Sequence, residues 1–303
     1  MQKIVPSLWF DHNAAEAAEF YTSVFPNSRV TATQHYPREG LPDFQAEYAG
    51  KVLTVEFELD GYRFVGINAG PEFPINPSLS FMLNFDPSRD ADARQHLQHL
   101  WGALAEDGTI MMPLGEYPFS PYYGWLQDRY GVGWQLILTD PGGEPRPFVV
   151  PSLLFGAEVQ NRAAEAREFY STVFPDARVG TVVNYPEPTG PVTTDSVMFS
   201  DLQLFGQWFS LMDSGVEQSS TFSPGVSLIL ECDDQVELDH YWQLLSAVPE
   251  AEQCGWCADR FGVSWQVVPA GLAQAELSPE GYQAMMQMKK IDIAALSAPG
   301  MTA

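Results

Sequence analysis

The chain contains two copies of one sequence pattern, and this internal repeat constrains its architecture more than any other feature. Three segments recur in the same order: 4–10 at 149–155, 19–30 at 168–179, and 125–137 at 256–268. The second pair shares eight of twelve residues and the third seven of thirteen. Fixed elements joined by loops of variable length produce such a pattern. We therefore predict two homologous domains in tandem.

A stretch rich in Pro and Gly, residues 140–147, separates the copies and is typical of a linker. A length of 303 residues is also what two ordinary domains require. The predicted organisation has domain 1 over 1–140, a linker over 141–148, domain 2 over 149–276 and a C-terminal helical tail over 277–303.

Within each copy, the hydrophobic pattern predicts the order βαβββ twice. Strands are expected in the first copy at 3–10, 28–36, 51–60, 62–68, 78–85, 109–113, 122–127 and 133–138. Helices are expected at 13–24, 90–104, 161–173, 234–246 and 279–296. Asn13 is a candidate helix cap. The predicted fold class is α+β, in which two βαβββ units per domain form a curved, mainly antiparallel sheet with helices outside and a concave face for a small molecule.

Composition limits the partners of the chain. The formal net charge of −24 repels phosphate groups, so we expect no nucleic-acid partner and no anionic membrane partner. No apolar run is long enough to span a membrane, and residues 1–10 lack the apolar segment of a signal peptide. We therefore expect a cytoplasmic protein.

Three motifs carry a resemblance to a known family. The opening strand, the pattern Ala-x-x-Phe-Tyr followed by Val-Phe-Pro, and Asp-Arg-(Tyr/Phe)-Gly-Val-x-Trp-Gln occur in both copies. This set resembles PhnB-like proteins, labelled "3-demethylubiquinone-9 3-methyltransferase" domains, of the vicinal-oxygen-chelate (glyoxalase, bleomycin resistance and dioxygenase) superfamily. The resemblance implies tandem glyoxalase-like domains.

The same resemblance implies where a divalent metal would be bound. The metalloenzymes of the superfamily use His, Gln or Glu from the first strand of a unit and Glu from the last. The first-strand position falls near Val5 and Val150, and the last-strand position at Gln135 and Gln266. Valine cannot bind a metal, and a neutral amide is a weak ligand. We predict no metal ligands and no cofactor, although a divalent metal in an unorthodox site stays open.

Methyl transfer, which the family label suggests, is disfavoured by the sequence. A nucleotide-type methyl donor needs a Gly-rich turn between a parallel strand and a helix. The candidate turn, Gly131-Val132-Gly133, is predicted to lie between two strands. We therefore expect no methyltransferase activity.

The repeated Trp-x-x-Asp-Arg-(Tyr/Phe)-Gly-Val-x-Trp-Gln motif is the best candidate for a ligand-binding site. Its Asp and Trp residues are equally consistent with a hairpin turn and a core. A strand Gln that faces the concave side would be a buried amide in need of a partner. The candidate pocket residues, with the polar fourth-strand positions, are Asn68, Trp125, Asp128, Trp134, Gln135, Asp213, Trp256, Asp259, Trp265 and Gln266. Catalytic residues are not predicted.

Three functions remain open from the sequence. The first is a metal-free protein that binds a small molecule in the concave sheet. The second is a lyase, isomerase or dioxygenase of the glyoxalase type with an unorthodox metal site. The third is an interaction protein whose pockets are lost. The two copies are also expected to pair as an intrachain pseudo-dimer, and a further homodimer is left open.

Overall fold

The computed structural model describes residues 2–272, 275 and 277–296. The strands and helices, in chain order, are β1 Ile4–Phe10, α1 Ala14–Val24, β2 Arg29–His35, β3 Val52–Leu59, β4 Tyr62–Asn68, β5 Leu79–Phe85, α2 Ala93–Ala105, β6 Thr109–Tyr117, β7 Ser120–Gln127, β8 Gly133–Leu138, β9 Val149–Phe155, α3 Ala163–Val173, β10 Arg178–Asn184, β11 Val197–Leu204, β12 Gln207–Asp213, β13 Val226–Cys232, α4 Gln235–Leu245, β14 Trp256–Ala258, β15 Ser264–Pro269, α5 Pro279–Gln287 and α6 Ile293–Leu296. No helix in this part of the chain is long and apolar enough to cross a membrane.

The strands form two sheets, and each sheet contains strands of both copies. One has seven strands in the order β14-β15-β13-β1-β4-β3-β2, and the other has eight in the order β10-β11-β12-β9-β5-β8-β7-β6. The central contact of each sheet is an antiparallel pair across the repeat, β1 with β13 and β5 with β9. The α+β class with curved sheets and helices outside is confirmed.

The compact units therefore differ from the contiguous domains expected from the repeat. Unit 1 comprises residues 1–74 and 223–303, and unit 2 comprises residues 75–222. Half of each sheet comes from one sequence copy and half from the other, because the central strands pair between the copies. The segments 1–140 and 149–276 describe the sequence copies, and the predicted linker 141–148 lies inside unit 2.

One face of each sheet is covered by helices, and the opposite face is here called the inner face. In unit 1, Tyr21 of α1 stacks on Phe57 of β3, with ring centroids 5.8 Å apart. Side chains alternate along a strand, so Glu56 lies on the inner face. In unit 2, Leu97, Leu100 and Leu104 of α2 are buried, as expected for a helix that packs against its sheet.

Both sheets curve around their inner faces. In unit 2, Leu154 of β9 belongs to the same cluster as Tyr123 and Trp125 of β7, which lies three strands away. In unit 1, Trp9 of β1 contacts Trp256 of β14 at 5.7 Å between ring centroids, again across three strand spacings. A flat sheet would separate such residues by roughly 14 Å. The inner faces are therefore concave.

The second copy departs from the expected βαβββ plan in its last unit. Between α4 and β15 it has a 3-10 turn at Pro249–Ala251 and the three-residue strand β14, where the first copy has the long strands β6 and β7. Unit 1 consequently has one strand fewer than unit 2.

Ala275 and the C-terminal tail that follows it contact both edges of the sheet of unit 1. Gln34 of edge strand β2 donates to the carbonyl of Ala275 at 3.0 Å. The amides of Cys254 and Gly255, beside the other edge strand, donate to the carbonyls of Met288 and Lys289. The predicted helix 279–296 is divided into α5 and α6, and residues 297–303 of the predicted tail lie outside the described residues.

Candidate functional site

The amide of Gln135 lies at the centre of the inner face of unit 2. The side chain is 1% exposed. Its nitrogen donates to the hydroxyl oxygens of Ser80, at 2.9 Å, and Ser152, at 3.2 Å. The hydroxyl of Tyr123 donates to its oxygen at 2.8 Å. Burial raises the pKa of the Tyr123 phenol, so this donor keeps its proton. The amide that needed a partner therefore has three partners from the protein.

These side chains belong to a polar row that crosses five neighbouring strands. Ser80 of β5 is paired with Ser152 of β9, Ser152 with Ser210 of β12, and Ser210 with Asp201 of β11. Directly paired residues share a face of a sheet, so the row runs along the inner face. At its far end Arg146 bonds to Asp201 at 2.8 Å and lies over the ring of Trp208. The row forms the floor of the concavity.

Apolar side chains line the concavity beside this polar floor. Tyr123, Trp125 and Leu154 form its buried centre. The partly buried residues packed against them are Met111, Met112, Tyr117, Ile137 and Met212. A concave, mainly apolar surface with a few placed polar groups is the usual composition of a small-molecule site.

Two polar atoms on this face are buried and have no hydrogen-bond partner among the described residues. They are the indole nitrogen of Trp125 and the hydroxyl oxygen of Ser210. A buried polar group without a partner costs about 1–3 kcal/mol, so few are tolerated in a fold. The indole of Trp125 and the hydroxyl of Ser210 therefore have unused hydrogen-bonding capacity on the inner face.

The inner face of unit 1 has the same plan with different side chains. Gln266 donates to Ser227 at 3.0 Å, as Gln135 does to Ser80. Trp9 occupies the position that Leu154 has in the other copy, and its indole packs against Trp256 and donates to the carbonyl of Gly70 at 2.7 Å. A larger ring with its own hydrogen-bond partner therefore stands in unit 1 where unit 2 has Leu154.

The predicted pocket residues separate into two groups. Trp125 and Gln135 lie on the inner face of unit 2, and Trp256 and Gln266 lie on that of unit 1. The other six belong to the supporting structure. They are Asn68, Asp128, Trp134, Asp213, Asp259 and Trp265.

Asn68 and Asp213 hold the first turns of helices. Asn68 accepts from the amide of Ala14 at 2.9 Å, and Asp213 accepts from that of Ala163 at 3.0 Å. Asn13 makes no side-chain cap, so Asn68 has the role expected of Asn13. Burial raises the pKa of Asp213, and its bonds to backbone amides oppose this effect. These two side chains therefore point away from the inner face.

Asp128 and Asp259 organise the turn before the last strand of each copy. Asp128 accepts from the amides of Tyr130 and Val132 and from the indole of Trp134, at 2.8 to 3.1 Å. Asp259 binds the equivalent amides and the indole of Trp265. Both Trp rings are buried on the helix-covered face, which explains why the motif recurs without forming a pocket.

Serines on the inner face were not predicted as site residues. Ser80, Ser152 and Ser210 are all 0% exposed. A signal was available for two of them, because Ser7 matches Ser152 and Ser227 matches Ser80 in the repeat. A polar residue at the same point of two apolar strands indicates a shared partner, which is the amide of Gln135 or Gln266.

Comparison with known proteins identifies the family. A family model described as 3-demethylubiquinone-9 3-methyltransferase matches residues 2–137 and again 147–268. The chain belongs to this family. Its PhnB-like domains therefore occur here twice, as the repeat predicted. No curated protein matches the chain.

Solved structures of single PhnB-like length match one copy each. A putative 3-demethylubiquinone-9 3-methyltransferase, PhnB protein, from Bacillus cereus is 35% identical, with 46% of this chain and 100% of that chain covered and a TM-score of 0.39. A protein from Pseudomonas aeruginosa is 25% identical over 46% of this chain and 98% of that chain, with a TM-score of 0.38.

A glyoxalase I structure matches over most of the chain. This variant of the enzyme from Zea mays is 10% identical, covers 86% of this chain and 92% of its own, and has a TM-score of 0.52. At this identity the match shows the fold alone. The PhnB-like chain is therefore similar to tandem glyoxalase-like structures.

The metal site implied by the superfamily is not supported by the residues of this PhnB-like chain. Val5 and Val150 are buried apolar residues, and Gln135 is held by Ser80, Ser152 and Tyr123. Within the described ranges, no three His, Cys, Asp or Glu side chains are grouped to hold a metal ion. These donors do not fit the expected ligand set.

Proposed function

We propose that the protein binds a small molecule on the inner face of unit 2. The observation that carries the proposal is the pair of unpartnered buried atoms, the Trp125 indole nitrogen and the Ser210 hydroxyl, on a concave apolar surface. A bound ligand would supply the missing hydrogen bonds and cover the rings of Tyr123 and Trp125.

Binding without methyl transfer is the form of the proposal that the site supports. The glycine-containing turn at Gly131 joins the antiparallel strands β7 and β8. A methyl-donor cofactor of the nucleotide type is held where a strand leads into a helix. The family description is therefore not carried over as an activity.

The test compares the wild type with a variant in which the concavity is filled. Leu154→Trp introduces into unit 2 the ring that Trp9 places on the inner face of unit 1, whereas Leu154→Met keeps a similar volume. A thermal-shift screen of aromatic and cationic small molecules is expected to give hits with the wild type and Leu154→Met, and to lose them with a folded Leu154→Trp variant.

Two results would contradict the proposal. Hits that survive Leu154→Trp unchanged would place the ligand elsewhere. About one divalent ion per unit in untagged protein, measured by elemental analysis and lost in Gln135→Ala, would instead favour an enzyme with an unorthodox metal site.

A further inference from the structure

We propose that the C-terminal tail closes the concave inner face of unit 1, so that small molecules reach this face only when the tail is displaced. Ligand binding in unit 2 is not a premise, because the tail belongs to unit 1. Three observations support the closure: the side of the sheet from which the tail starts, its attachment at both sheet edges, and its length.

The tail starts from the inner face at the first edge of the sheet. Gln34 of the edge strand β2 is paired with Thr54, and Thr54 is paired with Ile67. Ile67 is in turn paired with Trp9. Paired residues share a face, so Gln34 lies on the inner face with Trp9. The side-chain nitrogen of Gln34 donates to the carbonyl of Ala275 at 3.0 Å, which places the start of the tail on this face.

Helix α5 then packs against the loop that follows β2. Its Tyr282 is 4% exposed, and the Tyr282 hydroxyl donates to the side chain of Gln45 at 2.9 Å. A β-carbon on Gly40 would lie 2.9 Å from the side-chain nitrogen of Gln283 and 3.1 Å from Pro279, so the helix approaches the loop closely. Tyr282 is therefore the buried anchor of α5.

The other end of α5 is attached to the opposite edge of the sheet, just before β14. The side-chain nitrogen of Gln253 donates to the carbonyl of Met286 at 2.6 Å. The amide of Cys254 donates to the carbonyl of Met288 at 2.8 Å. The sulfur atoms of Cys254 and Met286 are 3.7 Å apart. The helix is thus held by backbone and side-chain contacts at both edges.

The length of α5 shows which way it runs between these edges. The seven strands of the sheet put the edges roughly 29 Å apart if the sheet were flat. The helix has nine residues and is about 13 Å long. A path around the helix-covered face would also have to pass α1 and α4, and would be longer than the sheet is wide. A short segment that starts on the inner face therefore crosses the opening of the curved sheet.

Unit 2 provides an internal comparison. Residues 75–222, which the structure describes throughout, contain no equivalent of the tail, because the chain that leaves β8 continues into β9. Ile67 of β4 and Met212 of β12 occupy equivalent places in the two copies, and both are half-buried. One of these positions is in the unit that carries the tail, and the other is in the unit that does not.

Thiol modification of the full-length protein tests the closure. Ile67→Cys and Met212→Cys each place one thiol at these equivalent positions. N-Ethylmaleimide, followed by peptide mapping with mass spectrometry, gives the rate of modification at each thiol. The Met212→Cys thiol is expected to react about tenfold or more faster than the Ile67→Cys thiol, because a covered group reacts only while its cover is open.

Variants that loosen the tail should remove this difference. Tyr282→Ala deletes the buried anchor of α5 and is expected to raise the rate of the Ile67→Cys thiol by about fivefold or more. Gln45→Ala removes the hydrogen-bond acceptor of Tyr282 and should act in the same direction. Gln287→Ala, at an exposed position of α5, is the matched control and should have no effect. The rate of the Met212→Cys thiol should stay constant throughout.

Cys232 distinguishes displacement of the tail from unfolding of unit 1. It lies in β13 and is 0% exposed, so it should stay unmodified in every variant. Equal rates for the Ile67→Cys and Met212→Cys thiols in the otherwise unchanged chain would overturn the closure. A rate at Ile67→Cys that neither Tyr282→Ala nor Gln45→Ala raises would do the same. Modification of Cys232 together with the Ile67→Cys thiol would also overturn it, because the tail would then stabilise the fold without covering the face.

Discussion

The Asp residues of the motif that recurs in both copies have a structural role rather than a binding role. Asp128 and Asp259 each accept hydrogen bonds from two turn amides and one indole. A single carboxylate therefore provides the acceptors for three N–H groups. The Asp-Arg-(Tyr/Phe)-Gly-Val-x-Trp motif is therefore a device that fixes the start of the last strand. Its recurrence reflects folding, and the residue on the inner face is the Gln that follows it.

Removal of this carboxylate is expected to be costly. Asp128→Ala should lower the free energy of unfolding by about 3 kcal/mol, because buried N–H donors lose their acceptor. Asp128→Asn keeps one acceptor oxygen and should cost about 1 kcal/mol. Urea denaturation measures both, with exposed Asp195→Ala as the control. Equal, small effects of all three substitutions would contradict the assigned role.

Among the elements, the C-terminal tail was predicted from the sequence, but its role at the sheet edges was not. Its carbonyl groups accept hydrogen bonds from the amides of Cys254 and Gly255 beside β14. At the equivalent edge, unit 2 has the longer strand β7 and its neighbour β6. Gln34 at the opposite edge and Gln45, which accepts from Tyr282, hold its other end. The tail thus compensates for a strand that the second copy lacks.

A chain that ends at Gly271 should therefore lose stability in one unit only. The expected result in hydrogen exchange is faster exchange in β14, β15 and β2 of unit 1, with unchanged protection in β5, β8 and β9 of unit 2. The physical reason is that truncation removes the carbonyl acceptors of the Cys254 and Gly255 amides. Uniformly faster exchange across both units, or no change in β14, would be inconsistent with this role.

Tail attachment should also weaken in acid. The Lys290 ammonium lowers the pKa of Asp239, and hydrogen bonds from Ser246 and Lys289 lower the pKa of Glu252, from ordinary values of 3.8 and 4.5. Carboxyls with a lowered pKa stabilise the fold above their ordinary values and lose this effect as the pH falls through the lowered ones.

The measurement is the melting temperature of the wild type minus that of a Lys289→Met, Lys290→Met double variant. The difference is expected to be small, because these groups are exposed, and constant from pH 7 to 5. It should begin to fall below about pH 4.5 and disappear only below the lowered pKa values of Asp239 and Glu252. A difference that does not change with pH would show that the charges do not contribute.

Sequence patterns predicted the elements well and their partners poorly. Apolar periodicity placed the helices and strands of the first copy within a few residues, because burial on one face is a local property. Alternation alone left the face of Gln135 open, because either face was consistent with the strand pattern. The pairing of β5 with β9 could not be predicted, because equivalent strands of the two copies carry equivalent residues, such as Ser7 and Ser152, and fit either partner.

At the scale of the whole molecule, each unit needs strands from both copies. Residues 75–222 contain all eight strands of one sheet, whereas residues 1–140 contain halves of two. The fragment 75–222 is expected to fold alone with a cooperative urea transition. The fragment 1–140 should leave the edges of β1 and β5 unpaired and associate or aggregate.

Size-exclusion chromatography and circular dichroism of the two fragments distinguish these outcomes. A monomeric, cooperatively folded 1–140 fragment, beside an unfolded 75–222 fragment, would show that the sequence copies are the folding units. A cooperatively folded 75–222 fragment beside an aggregating 1–140 fragment would show that strand pairing between the copies governs stability as well as architecture.

The split composition of unit 1 has a consequence for synthesis on the ribosome. Of the strands of unit 1, β1 to β4 leave the exit tunnel before the rest, yet β13, which pairs with the edge of β1 opposite β4, begins at Val226. The whole of unit 2 is translated in the interval and can fold first. Until β13 is made, the N-terminal half-sheet has an unpaired edge at β1. Chaperones that bind such edges should therefore matter most for this half of the chain.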